Sequence, residues 1–270
     1  MKKQGLKNVA AGSFCVAKML LLLFLAIGSL SVFAQTVLIM EGQSTTNTEK
    51  GTWLGVNIPR SVPTAFTYRN NSITSVNTLG YLLQAGDESS PSPSNNNLDG
   101  ELVTGNRLTW NGTDMNCITH GLFTGCNINA TVKYNYLYKV PMGIIRKSCT
   151  GMINTAGGVA YNIVISPNVG VVAKGMKNVN IYNNTFYQER STSETSRALI
   201  DIYANADYTP SPPSTGAKIK NNIFYTKYRT KNISIDNASL PGFECDYNVY
   251  YCEDPNGPVF SCNGTKNWAQ

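Results

Sequence analysis

The 270-residue sequence predicts an all-β solenoid of about seven stacked coils, and three observations carry that prediction. An asparagine beside a short apolar run recurs at Asn71, Asn106, Asn135, Asn162, Asn184, Asn222 and Asn248, as in Tyr134-Asn135-Tyr136-Leu137-Tyr138 and Asn221-Asn222-Ile223-Phe224-Tyr225. These runs are rich in aromatic and β-branched residues and are bounded by Gly, Pro, Asn or Ser, the pattern of short strands. A second series keeps step with the first, from Gly80-Tyr81-Leu82-Leu83-Gln84 through Gly121-Leu122-Phe123-Thr124-Gly125, Gly143-Ile144-Ile145-Arg146-Lys147 and Gly170-Val171-Val172-Ala173-Lys174 to Ala198-Leu199-Ile200-Asp201-Ile202. Helical periodicity is scarce. The irregular spacing of the asparagines, 22 to 38 residues, suits coils whose strands are fixed in length while their loops vary.

In chain order, residues 1–34 read as an export signal. Lys2, Lys3, Lys7 and Lys18 precede an apolar run from Met19 to Phe33, and Val32-Phe33-Ala34 offers small residues for cleavage before Gln35. The run is shorter than the roughly 20 residues a membrane helix needs, so no span is expected after cleavage and the protein is expected outside the cytoplasm, periplasmic or extracellular. Residues 35–63 carry a weaker pattern and are expected to cap the first coil. Residues 64–270 form the solenoid domain, interrupted by polar excursions at Ser89 to Asn97, Ser191 to Arg197 and Asp207 to Gly216. The chain stops soon after Cys262 with no evident cap, as a truncated reading of a longer protein would.

An asparagine at each coil corner tolerates left-handed backbone and can hydrogen-bond along a ladder of its own kind. In the second series, the column Leu82, Phe123, Ile145, Val172, Ile200 is uniformly large and apolar and is expected to face the core. Alternation then turns Tyr81, Leu122, Ile144, Val171 and Leu199 outward, a set apolar enough that something should cover or bind that face.

Charge and cysteines narrow the function. The net charge is +6, from 22 basic and 16 acidic residues; four of the lysines lie in the leader, so the remainder carries 18 against 16, or +2. Without a basic run, nucleic acid is excluded as a partner. Beyond the leader stand Cys117, Cys126, Cys149, Cys245, Cys252 and Cys262, enough for three disulfides, with Cys117–Cys126 and Cys245–Cys252 the nearest pairs and buried free thiols the alternative. One histidine, His120, argues against zinc and against a Ser-His-Asp triad.

The repeat Val179-Asn180-Ile181-Tyr182-Asn183-Asn184-Thr185-Phe186 resembles the coil of the pectate-lyase-like superfamily, over roughly Thr64 to Tyr251. The resemblance implies a single-stranded right-handed parallel β-helix, expected to be monomeric. Within it, Ile144-Ile145-Arg146-Lys147-Ser148 followed by Ala160-Tyr161-Asn162-Ile163 is similar to the coil of alginate-lyase and chondroitinase-B-like enzymes that carries a lysine base, and Lys147 matches that lysine. Where those enzymes have Arg-His-Gly on the next coil, this chain reads Ala173-Lys174-Gly175, which passes the second cationic role to Lys174. Met142-Gly143 stands where they place a calcium-holding glutamate.

The resemblance implies a polysaccharide lyase acting on an acidic, uronic-acid-containing chain. β-Elimination removes the proton beside a carboxylate, which requires a nearby base and an offset to the carboxylate charge. The catalytic candidates are Lys147 as base, Lys174 as assisting cation or acid, and Arg146 as a bidentate grip on the carboxylate, reaching the groove if the strand turns after it. His120, Asp201 and Tyr81 are candidates for lining the substrate groove. Asp87 and Glu88, with Asp99 and Glu101 beyond the polar loop, are candidate oxygen ligands for calcium, the one cofactor considered. Two other readings stand beside the lyase. The face could bind glycan without catalysis, or the chain could be a glycoside hydrolase, for which no paired-aspartate motif is present.

Overall fold

The computed structural model describes residues 36–42, 44–47, 54–55, 64–76, 79–85, 98–99, 102–115, 118–125, 127–128, 130–148, 157–189, 194–262 and 265–267. The expected leader, the polar loop Ser89 to Asn97, Cys117, Cys126 and Cys149 lie outside them, as do Asp87, Glu88, Glu101 and the side chains of Asp99 and Phe123. The chain is a parallel β-helix. Every coil contributes one strand to each of three sheets, and each strand pairs in parallel with its counterpart one coil on.

The first sheet stacks eight strands, among them Leu102–Thr104, Thr131–Lys133, Gly158–Ala160, Asn180–Tyr182 and Lys218–Lys220. The second also has eight, with Tyr136–Tyr138, Ile163–Ile165 and Thr185–Gln188 near its middle. The third includes Leu79–Ala85, Ile118–Gly125, Met142–Lys147, Val169–Lys174, Glu194–Tyr203, Thr230–Ile235 and Val259–Cys262. Its last member, Thr265–Asn267, reverses to pair antiparallel with Val259–Cys262. Residues expected to cap the first coil form a coil of their own: Thr36–Glu41, Ser44–Asn47 and Leu54–Gly55 pair in parallel with Thr64–Arg69, Ser72–Ser75 and Leu79–Ala85. No helix among the described residues is long and apolar enough to cross a membrane.

The asparagines form one continuous ladder at the corner between the first two sheets. The residue before each adopts left-handed backbone, with φ of 57° at Asn70, 58° at Tyr134, 55° at Tyr161, 55° at Asn183, 56° at Asn221 and 56° at Tyr247. That single turn aims the next side chain inward. Asn162 shows the resulting unit. Its Oδ1 accepts from both the backbone N–H and the Nδ2 of Asn135, each at 3.0 Å. Its own N–H and Nδ2 donate to Asn184 Oδ1 at 3.0 and 2.9 Å, and Nδ2 also donates to Val132 O at 3.0 Å. The same pattern runs from Asn71 to Asn248, so the corner's side-chain amides are satisfied without water.

Inward residues then stack in columns. In the first sheet these are Tyr68, Val103, Val132, Val159, Ile181 and Ile219; in the second, Ile73, Leu108, Leu137, Val164, Phe186 and Phe224. The rings of Phe186 and Phe224 stack with centroids 5.0 Å apart. Such burial of large apolar groups against like neighbours is the main stabilising term in a stack of coils.

The third sheet corrects the expected inward column. Leu83, Leu122, Ile144, Val171, Ile200 and Ile233 lie in register and belong to the main core, whereas Ile145 and Val172 face the other side. Ile200 stands beside Val171 rather than Val172, and Tyr81 beside His120 rather than Leu122. The cause is a glycine corner. A Cβ on Gly121 would lie 2.6 Å from Gly143 O, one on Gly143 2.4 Å from Gly170 O, and one on Gly170 2.6 Å from Leu199 O. The strands bend where adjacent coils approach this closely, so the alternation counted from the glycine shifts by one, and a shift of one exchanges the two faces.

Cys245, Cys252 and Cys262 are free thiols. The Cys245–Cys252 bridge does not form: Cys245 Sγ lies 3.5 Å from Tyr250 Oη and 3.4 Å from Asn248 Nδ2, and Cys252 Sγ 3.8 Å from Tyr228 O.

Two stability tests follow from the core. Asn162→Ala removes the acceptor of two buried donors and orphans Asn184 Oδ1 and Val132 O in part, so denaturant unfolding should show a loss of about 3 kcal/mol. Asn232 is buried opposite Leu199, where the strand shifts register, and neither of its side-chain polar atoms has a hydrogen-bond partner. Asn232→Leu is therefore expected to raise stability by about 1 kcal/mol in the same measurement.

Candidate functional site

Because Ile144 and Arg146 point into the solenoid, Ile145 and Lys147 point out of it. The outer face of the third sheet thus carries three rows across adjacent coils. One row holds Tyr81, His120, Met142 and Val169; the next Ile145, Val172 and Asp201; the last Lys147, Lys174 and Tyr203. Ile145, Val169 and Val172 form a small second apolar cluster with Tyr81, Met142 and Tyr203 packed against it. This cluster is the floor of the site, and its low polarity strengthens charge interactions at its margin.

Beyond Tyr203 the chain leaves the sheet in a loop, residues 204–216, that doubles back over the lysine row. Both ends of the loop are anchored. Asn205 is fully buried, donates from Nδ2 to Ser148 O at 3.0 Å and accepts from Asp207 N–H at 3.2 Å. Ser214, also fully buried, places Oγ 3.0 Å from Ala173 O and 2.9 Å from Tyr203 O, and accepts from Met176 N–H. Gly175, at φ 70°, admits this close packing, since a Cβ there would lie 2.3 Å from Ser148 Oγ and 2.7 Å from Asn205 Cβ.

The anchored loop sets Asp207 between the two lysines. Lys147 Nζ lies 2.8 Å from Asp207 Oδ2 and Lys174 Nζ 2.8 Å from Oδ1. The side chains of Lys147 and Lys174 are 8% and 21% exposed and that of Asp207 44%, so the carboxylate covers the ammonium groups from the solvent side. Hydrogen bonds from Lys147 and then Lys174 hold the Asp207 carboxyl below the usual carboxylate range.

The remaining polar groups of the face are tuned by burial. His120 stacks on Tyr81 with centroids 4.8 Å apart; burial and then the charge of Lys147 push its pKa down from 6.5 to about 4, leaving a neutral imidazole at neutral pH. Burial pushes the Asp201 carboxyl up, against a hydrogen bond from Ser234 and the charges of Lys231 and Arg197. Burial also raises the Tyr203 phenol, helped by Asp201 and Asp207 and opposed by Arg197 and Lys147.

The structure therefore brings Lys147, Lys174, His120, Tyr81 and Asp201 onto one face. Arg146 is not among them. It is fully buried, in register with Thr124 and Ala173 on the inner side of the strand, so the strand does not turn to bring its guanidinium into the groove beside Lys147. Among the described residues no group of three or more His, Cys, Asp or Glu could hold a metal ion, and the expected calcium ligands fall outside the described side chains. Asp207, Tyr203 and Asn205 were given no role by sequence. The repeat sets Lys174 against Ile202, whereas the structure pairs it with Tyr203 and so brings the loop after Tyr203 to the lysines.

A histidine whose pKa is depressed on folding binds fewer protons in the folded than in the unfolded chain between pH 4 and 6.5, so its contribution to stability is lost as the pH falls through that window. Across it, the wild type should lose roughly 2 to 3 kcal/mol more than His120→Phe, which keeps the stack on Tyr81. Urea unfolding of both proteins at several pH values measures this difference.

No family model, curated protein or solved structure matches this chain.

Proposed function

We propose that the protein is an exported β-helix that binds acidic, uronic-acid-containing polysaccharide on the outer face of its third sheet and cleaves it by β-elimination. The observation that carries this reading is the seat formed by Lys147 and Lys174, two poorly exposed ammonium groups sharing one carboxylate at 2.8 Å each. A uronate carboxylate fits the same two cations by the same charge-assisted hydrogen bonds. Tyr203 borders the seat and Tyr81 and His120 lie across the apolar floor from it, offering the flat, partly polar surfaces on which sugar rings pack.

The roles follow from position. Lys174, the more exposed lysine, holds the substrate carboxylate and offsets the charge that develops as the neighbouring proton is removed. Lys147, the more buried, is the base, placed beside the carboxylate-holding Lys174 where the proton next to that carboxylate would lie. The electron pair released from the C–H bond forms the new double bond, and the glycosidic oxygen leaves with the bonding pair of its C–O bond. Tyr203, beside Lys174, supplies a proton to that oxygen. The similarity of the Lys147 coil to alginate-lyase and chondroitinase-B-like enzymes supports the same assignment, with Lys174 taking the place of the arginine found there.

The test is the ultraviolet absorbance of the unsaturated uronate product when the purified protein, Lys147→Ala and Lys174→Ala are incubated with alginate, pectate and glycosaminoglycans, with and without calcium. Absorbance should rise for one substrate class, and each substitution should lower the rate by at least about a hundredfold. Silence from folded protein across the panel would overturn elimination and leave non-catalytic binding of an acidic glycan, which the same lysine seat supports.

A further inference from the structure

We propose that Asp207 is a tethered competitor for the site, a built-in carboxylate that occupies the two-lysine seat until the carboxylate of a uronate displaces it. This rests on the reading that the seat receives a uronate. Asp207 presents the group the ligand would present, to the same two nitrogens, each at 2.8 Å. It does so from the solvent side, where the Lys147 side chain is only 8% exposed and that of Lys174 21%, so a second carboxylate can take both nitrogens only by displacing it.

The loop is built so that Asp207 can leave while its anchors stay. Asn205 and Ser214 are fully buried and hydrogen-bonded to the strands of neighbouring coils, whereas Ala206, Asp207, Thr209, Pro210 and Ser211 between them are exposed. Asp207 N–H donates to Asn205 Oδ1 at 3.2 Å and Tyr208 N–H to Asn205 O at 3.3 Å, so a single turn ties the latch residue to the anchor before it. Releasing Asp207 exchanges one carboxylate for another and disturbs no core contact. The latch also determines what enters: a neutral sugar gains nothing to offset the broken ion pairs, while a uronate replaces them. Occupancy by Asp207 holds the Lys147 ammonium in an ion pair, so the base assigned above is exposed to substrate only when that pair is broken.

The experiment compares the full chain with Asp207→Asn and Asp207→Ser, two exposed-loop variants that lose the two ion pairs and no core contact, and whose cooperative thermal melts establish that they are folded. The readouts are acylation of Lys174 by an amine-reactive ester, followed by mass spectrometry, and calorimetric binding of D-glucuronate, with D-glucose as the uncharged control. Both variants should show Lys174 acylated about tenfold faster and glucuronate bound about tenfold more tightly, with glucose unchanged. Unchanged acylation and affinity, or weaker glucuronate binding in the variants, would overturn the latch. The two readings fail separately. Faster acylation and tighter glucuronate with no polyuronate bound or cleaved would keep the latch and remove the polysaccharide reading. Cleavage of a polyuronate by the wild type, with weakened binding in both variants, would remove the latch and keep the enzyme.

Discussion

Two donors from one asparagine meeting a single oxygen of the next is the contact on which the rest of this molecule depends. Because Asn135 uses both its backbone N–H and its side-chain amide on Asn162 Oδ1, sliding one coil against the next by a residue would break both bonds in a place closed to water. Buried amides without partners are costly enough that such a slip is strongly disfavoured. The ladder thereby sets which residue stands above which across whole coils, and the core columns of Val, Ile, Leu and Phe interdigitate within that alignment. The left-handed backbone at Tyr134, Tyr161 and Tyr247 shows how firmly it is held, since bulky residues disfavour that conformation.

The same alignment explains why the two lysines meet. Lys147 and Lys174 are separated by a full coil in sequence yet stand side by side in the third sheet. Two ammonium groups one coil apart at the margin of an apolar cluster repel each other. A carboxylate between them relieves that repulsion, whether it comes from the chain or from a ligand. Arg146 lies buried on the inner side of the same strand, in register with Ala173, so two adjacent basic residues of one sequence motif end on opposite faces of a sheet.

How far these arrangements could be read from sequence depends on the range of the signal. The solenoid and its asparagine ladder were legible because both are written into every coil, and repetition turns a weak local pattern into a strong one. The pairing of Lys147 with Lys174 was legible for the same reason, from aligned glycines in neighbouring segments. Those glycines also misled. They align the segments but do not say which column turns inward, and choosing the uniformly large apolar one assigns Ile145 to the core and Ile144 to solvent, the reverse of what is found. Asp207 was not legible at all as a partner, since its loop occurs in one coil only and its position depends on anchors at Asn205 and Ser214 that no repeat announces.

The step from Asn184 to Asn222 spans 38 residues and that from Asn162 to Asn184 only 22, yet the backbone-to-amide bond is 3.0 Å in both. The scaffold is therefore indifferent to contour length between its corners, and the entropy of closing a longer excursion rises only slowly with its size. The longest of these steps is the one that carries the segment reaching over the lysines. A lineage of such proteins can thus revise what guards the seat, by insertion or deletion within one connection, while the spacing of the two cations beneath it is inherited unchanged.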